Sequence, residues 1–336
     1  VLTDIRMPMV DGISLLKQIK QEKLCSCVIL LSEYAEFSYA REGIHDVVSE
    51  MCKKWGINTI LLPGYIGWSP KEGSGIFDSI STIQGIKIIY YRMSKELSID
   101  VDDLTEKVDS AKCLVFIVNY FGFRDPQIDK VVCRIKEKKA WILEDNAHGF
   151  FTYHMSKKIP SDVVIFSLHK MFPFSMGGSI IIQNPELYDM NLKGKSLKES
   201  PWNPYKYDIF SISQQRRDNF NYLFQILQEY EKEKIIYSIR QPKDLVQNIP
   251  QTYPIAIRLG DRNKIYEIMN QKGYGIVSLY HTLIEPLRNK EFGEAWDLSK
   301  CILNLPIHQD VDTSEYPNLV HELIMACKIS KDRNEV

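Results

Sequence analysis

Six short runs of β-forming residues recur between residues 59 and 182, at Thr59–Leu62, Lys87–Tyr90, Leu114–Val118, Trp141–Leu143, Val163–Phe166 and Ser179–Ile182. Polar or helical stretches separate them. A strand reaches a parallel neighbour only through a long crossover, usually a helix. The alternation therefore predicts an α/β fold with a mostly parallel sheet covered by helices on both faces, and it argues against a helical bundle or a β-sandwich. In such a sheet ligands gather beyond the carboxyl ends of the strands. The residues that close each run are thus the first candidates for chemistry.

The pattern changes on either side of this block. Beyond about residue 215 the chain turns helix-rich, with a long amphipathic segment at 219–234 and further helical stretches at 261–272 and 314–328. Short extended runs at Ile255–Arg258 and Tyr274–Ser278 complete a smaller α+β domain. Ahead of the block, an apolar start at Val1-Leu2 precedes Asp4, a helical spacing of Ile13, Leu16, Ile19 and Leu24, and an apolar strand Val28–Leu31 ending at Ser32. The expected division is a fragment at 1–40, a large domain at 41–215, and a connecting helix with a small domain at 216–336.

Charge is nearly balanced, with 42 Lys+Arg against 43 Asp+Glu, so no basic field draws in nucleic acid or an anionic membrane surface. No run approaches the roughly 20 apolar residues that span a bilayer. A cytoplasmic location is the expectation, and the seven scattered cysteines read as reduced thiols. Cys25 and Cys27 stand too close together for a zinc knuckle, and no metal is expected.

The richest local signal lies between residues 141 and 178. Trp141-Ile-Leu143 runs into Glu144-Asp145-Asn-Ala-His148; a second apolar run, Val163–Phe166, is followed by Ser167 and then Lys170. Strand ends of a parallel sheet bring Asp145, Ser167 and Lys170 together. An acid and a lysine so placed are the parts that pyridoxal phosphate chemistry requires: the lysine forms a Schiff base and the carboxylate keeps the ring nitrogen protonated. A serine near the lysine can donate to the cofactor phosphate.

At these residues the chain resembles the DegT/StrS family of sugar aminotransferases, within the fold-type-I group of pyridoxal phosphate enzymes, over about residues 40–325. Glu144-Asp-Asn-Ala-His148 and Ser167-Leu-His-Lys170, followed by Gly177-Gly178, carry the likeness; Leu62-Pro63-Gly-Tyr65, Leu279-Tyr-His281 and Leu305-Pro-Ile-His308 add to it. The resemblance implies that Lys170 anchors the cofactor, Asp145 pairs with the ring nitrogen, His148 lies beside the ring or its phenolic oxygen, and Ser167 contacts phosphate. It implies stacking on the ring by Tyr65 or Trp68, a phosphate cup at Tyr39-Ala40-Arg41-Glu-Gly43, and substrate contacts from His281 and His308. Residues 1–44 resemble instead the middle of a response-regulator receiver, with Asp4 at the phosphoacceptor position and Ser32 at the reporter position. Phosphoryl transfer also needs an acidic pair and a lysine that are not in this segment, so Asp4 is expected not to accept phosphate.

The function implied is transfer of an amino group from glutamate to a nucleotide-linked keto sugar, by a homodimer. Two other readings remain at this point: a protein of the same fold that binds cofactor without turnover, and a two-component signalling protein. The motif Lys71-Glu-Gly-Ser-Gly75 lacks the lysine and spacing of a nucleotide loop and reads as a turn leading into a helix.

Overall fold

The structure is a computed structural model and describes residues 2–3, 28–32, 37–70, 73–174, 178–190 and 204–332. Asp4, the helical spacing from Ile13 to Leu24, Cys25 and Cys27 lie outside the described residues.

Eleven strands form two sheets among the described residues. The large sheet contains β1 (Leu2–Thr3), β2 (Val28–Ser32), β3 (Thr59–Pro63), β4 (Lys87–Tyr91), β5 (Cys113–Val118), β6 (Trp141–Asp145), β7 (Val163–Ser167) and β8 (Gly178–Ile182). Their order is β1-β2-β8-β7-β6-β5-β3-β4. All pairs are parallel except those of β8, which runs against both β2 and β7. The β7–β8 link holds only a one-turn 3-10 helix in its described part, Leu168–Lys170, rather than a crossover helix, so the chain doubles back. All six expected runs are strands of this sheet.

Helices cover both faces: α1 (Phe37–Trp55), α2 (Ile76–Ser81), α3 (Val101–Lys107), α4 (Ile128–Glu137) and α5 (Phe150–Met155). The strands show why. Ile60 and Leu62 of β3 pack on one side with Leu114 and Phe116 of β5 and with Ile44, Val47, Val48 and Met51 of α1. Leu61, Val115 and Ile117 point to the other side, against Val101 and Leu104 of α3 and Val131 and Ile135 of α4. Period two along the strands thus meets the three-and-four spacing of the helices.

The remainder comprises α6 (Ile209–Lys232), α7 (Arg262–Gln271), α8 (Gly293–Cys301) and α9 (Tyr316–Asp332) with the antiparallel sheet β11-β10-β9, where β9 is Ile236–Ser238, β10 is Thr252–Ile257 and β11 is Ile302–Pro306. This is the small α+β unit that the pattern anticipated. The long helix starts earlier than residue 219 because Asp208 caps it, accepting from the Ser211 N–H at 2.9 Å. The division drawn at 215/216 therefore falls inside a helix. The division drawn at 40/41 falls inside α1, and β2, expected in the separate fragment, hydrogen-bonds into the main sheet. Tyr274–Ser278 is not a strand: its one β contact is the bridge of Val277 with Asn304. Gly75 caps α2 with φ 63°, in line with the turn expected there.

A short backbone ladder ties the two units together. Gly67 bridges Leu283, the Trp68 N–H donates to the Thr282 carbonyl at 2.8 Å, and the Ile284 N–H donates to the Ile66 carbonyl at 3.0 Å. No helix among the described residues is long and apolar enough to cross a membrane. Cys52, Cys113, Cys133, Cys301 and Cys327 are free thiols.

Gly122 follows β5 with φ +89°, and a Cβ there would sit 2.5 Å from the Ile249 carbonyl oxygen. Gly122→Ala is expected to lower unfolding stability by about 3 kcal/mol, read as a drop in the urea midpoint; an unchanged midpoint would show that the turn is not rigid.

Candidate active site

Antiparallel β8 sets the geometry of the site's edge. Gly178, its first residue, pairs with Ser32, the last of β2, on one side and with Ser167, the last of β7, on the other. The ends of β2 and β7 therefore lie at one rim of the sheet, together with the end of β6 at Asp145. Helix α1 is the next described element after β2, and the N–H groups of its first turn have no partner within the helix. Ala40 and Arg41 stand in α1 from its fourth residue onward.

Asp145 is buried and accepts the Ala147 N–H on Oδ1 at 2.8 Å. Burial pushes its carboxyl up to about 6; the Ala147 hydrogen bond and the charge of Lys170 only partly offset this. Three residues along, His148 is also buried, and its Nε2 lies 3.4 Å from Lys170 Nζ. Burial, reinforced by Lys170, holds the imidazole well below the usual histidine range, so it is neutral. Lys170 ends the 3-10 turn after β7 and is half-buried. Ser167 Oγ lies 3.3 Å from His169 Nδ1 in the same turn.

Beneath this group is a buried polar layer. Glu144, fully enclosed, accepts from Asn119 Nδ2 at 2.9 Å and from Ser161 Oγ at 3.2 Å, and lies 3.6 Å from Arg124 Nε. Asn119 also donates to Asn146 Oδ1 at 2.7 Å. Successive residues of a strand face opposite ways. Glu144 is thereby fixed in the interior while Asp145 ends the strand toward the rim.

The structure unites Asp145, His148, Ser167 and Lys170 but separates other expected residues. Tyr65 has no exposed face: it packs between Tyr120 and Tyr280 at ring distances of 5.3 and 5.5 Å, so nothing can stack on it in this arrangement. Burial, with Tyr280 and Cys301 nearby, pushes its phenol well above the usual range, and its hydroxyl has no hydrogen-bond partner. The expectation failed because Pro63-Gly64-Tyr65 continues inward from a central strand. Trp68 is 43% exposed and open to a ligand. His281 is exposed and bonds the Ser278 carbonyl of its own turn at 2.6 Å; His308 pairs with Asp310 at 3.1 Å. Both have local contacts and neither is joined to the Lys170 group. Phe121 and Asn119 were missed: only their place just after a strand run was available as a signal. Glu144 and Tyr280 were in view within the quoted motifs, without a role assigned to either.

A mostly parallel sheet with a small α+β unit beside it is a fold that solved aminotransferases share. Residues 83–210 match the model of the DegT/DnrJ/EryC1/StrS aminotransferase family. An aminotransferase from Psychrobacter cryohalolentis superposes with TM-score 0.69 at 11% identity, covering 94% of this chain and 91% of that one. NtdA from Bacillus subtilis with bound cofactor PMP gives 0.67 at 16%, covering 97% and 78%. Helicobacter pylori PseC, an aminotransferase involved in the biosynthesis of pseudoaminic acid, gives 0.64 at 14%, covering 94% and 91%. At such identities the likeness establishes the fold. No curated protein sequence matches the chain.

The raised carboxyl of Asp145 carries a pH signature in protein without cofactor. Below about pH 4 the group is protonated folded and unfolded and contributes nothing; between about 4 and 6 the unfolded chain releases its proton first, so stability falls; above that the penalty is constant. Asp145→Asn is expected to exceed the parent in stability at pH 8 by about 2 kcal/mol, the gap closing toward pH 4. Urea titrations at both pH values check this, and parallel curves would contradict it.

Proposed function

We propose that this chain is a pyridoxal phosphate-dependent aminotransferase that moves an amino group from glutamate to a nucleotide-linked keto sugar, in amino-sugar biosynthesis. The observation that carries the reading is the placing of buried Asp145, at the end of β6, within electrostatic reach of Lys170, in the turn after neighbouring β7, inside the family-matched segment. The residues fit the cofactor. A carboxylate buried at the cost of desolvation gains most from a cationic partner, and a protonated ring nitrogen is one. The first turn of α1, the next described element after the strand end Ser32 that shares Gly178 with Ser167, would offer backbone N–H groups and a helix dipole to a phosphate.

When bound, pyridoxal phosphate supplies a ring that takes up electrons from the carbon losing its proton. Asp145 would hold the proton on the ring nitrogen. Lys170 Nζ would anchor the cofactor's aldehyde carbon and, once the incoming amine has displaced it, would serve as the free base that takes and returns a proton at the substrate carbon. Ser167 would donate its hydroxyl to phosphate, and His148 would orient Lys170 from the other side. Trp68, exposed beside the site-bearing loops, is the aromatic that can cover a ring or a sugar. His281 and His308, which reach solvent from the small unit, are assigned to the substrate side. A homodimer is part of the same reading, as is the absence of a nucleic-acid or membrane partner.

The test is reconstitution. Native protein mixed with pyridoxal phosphate is expected to gain a visible absorbance that survives dialysis, and borohydride is expected to fix the cofactor's mass on the peptide containing Lys170. Lys170→Ala is expected to lose both signals while keeping its fold by circular dichroism. Label on another lysine, or no retained absorbance in the native chain, would overturn the assignment. With label in place, release of 2-oxoglutarate from glutamate separates an enzyme from a binding protein of this fold.

A further inference from the structure

Two residues with left-handed backbone converge on one side chain. Phe121 (φ 56°) and Tyr280 (φ 57°) are both non-glycine residues at positive φ, a strained conformation that concentrates at functional sites. Phe121 lies in the turn after β5, Tyr280 in the small unit, and each packs its ring on His148: Phe121 stacked at 6.2 Å and 18°, Tyr280 edge-to-face at 5.9 Å. The left-handed turn also aims the Phe121 N–H at His148 Nδ1, at 3.4 Å, while the Phe121 carbonyl is held by the Gln251 N–H at 2.7 Å. Gly67 makes room for Tyr280, since a Cβ there would fall 2.8 Å from its ring. The other nitrogen of His148, Nε2, faces Lys170 Nζ at 3.4 Å.

A backbone N–H can only donate. Nδ1 of His148 must therefore be the acceptor, and the single proton of the neutral ring sits on Nε2. We propose that His148 is locked in this tautomer by Phe121 and Tyr280 and donates its Nε2–H to the lone pair of Lys170 Nζ, weighting the lysine toward the neutral amine. The opposite pairing, an ammonium donating to Nε2, would put a proton on Nδ1 facing the Phe121 N–H, leaving a buried backbone donor without an acceptor. Burial of His148 acts in the same sense by keeping the ring uncharged. The ionisable groups facing the pair are Asp145 at the end of β6, Glu144 beneath it, Tyr120 after β5, His169 in the lysine's own turn, and Tyr280 from the small unit. Asp145 favours the ammonium, so the contribution of His148 is read as a difference between variants. Phe121 and Tyr280 are positioning residues on this account. The meaning for catalysis rests on Lys170 as the cofactor's anchor, whereas the tautomer is a property of the protein alone.

The experiment uses cofactor-free protein labelled with ¹⁵N-histidine at pH 7.5. The His148 ring is identified by its loss in His148→Gln, and long-range ¹H–¹⁵N correlation is expected to show Nε2 protonated and Nδ1 bare; the reverse pattern, or an imidazolium, overturns the proposal without touching the cofactor assignment. Lys170 reactivity toward acetic anhydride at pH 8 is expected to fall about tenfold in His148→Leu, the size of a one-unit rise in the lysine's pKa. His148→Gln, whose amide can make the same donation, is expected to fall between the two, and equal reactivity in all three overturns the proposal. Tyr280→Phe is expected to keep the His148 signals, and Tyr280→Ala to split them between two tautomers. Unsplit signals in Tyr280→Ala would remove Tyr280 from the lock.

Discussion

Everything at the site hangs on the reversal of one strand. Because β8 runs against both neighbours, a single residue, Gly178, is paired on its two sides with the last residues of β2 and β7. Hydrogen bonds of a ladder are made along its length, so the register is not free to slip without turning each buried side chain to the wrong face. That ladder fixes where β2 ends and where the turn bearing Lys170 leaves the sheet. The parallel pairing of β6 with β7 then adds Asp145 to the same rim.

The chemistry is supported from below as much as from the rim. Glu144 and Arg124 are both nearly inaccessible, and a charge pair in that position is favourable only when the remaining donors and acceptors are matched. Asn119 and Ser161 supply the carboxylate with two hydrogen bonds. The guanidinium is less well served: its Nη1 donates to the Lys157 carbonyl while Nε and Nη2 lack a hydrogen-bond partner. A negative charge so anchored also acts on its neighbour, adding to the burial that keeps Asp145 from ionising easily. Two adjacent carboxylates in one strand thus have different tasks set by which way each points.

The large sheet was legible in the sequence because its central strands are buried on both sides and read as unbroken apolar runs between helices; Asp145, Ser167 and Lys170 could be placed because strand ends in such a sheet share a rim. The N-terminal stretch was harder. Val28–Ser32 is a good strand in either of two contexts, and only its pairing with β8 shows which sheet it joins. Tyr65 looked like a site aromatic by position, yet its neighbours Tyr120 and Tyr280 arrive from loops far apart in the chain and bury it. The same non-local packing hid Phe121 and the role of Tyr280, whose backbone conformations have no sequence signature outside glycine. The start of α6 was missed for a more local reason, an aspartate cap ahead of a first turn, Ile209-Phe210-Ser211-Ile212, that lies upstream of the amphipathic stretch.

The ladder between segments 66–68 and 282–284 bears on how anything gets in or out. Rotation of the small unit away from the large one would have to unzip those backbone bonds together with the aromatic contacts around Tyr280, rather than bend a loose linker. The seam is thus a set of bonds and ring contacts that such a rotation breaks all at once.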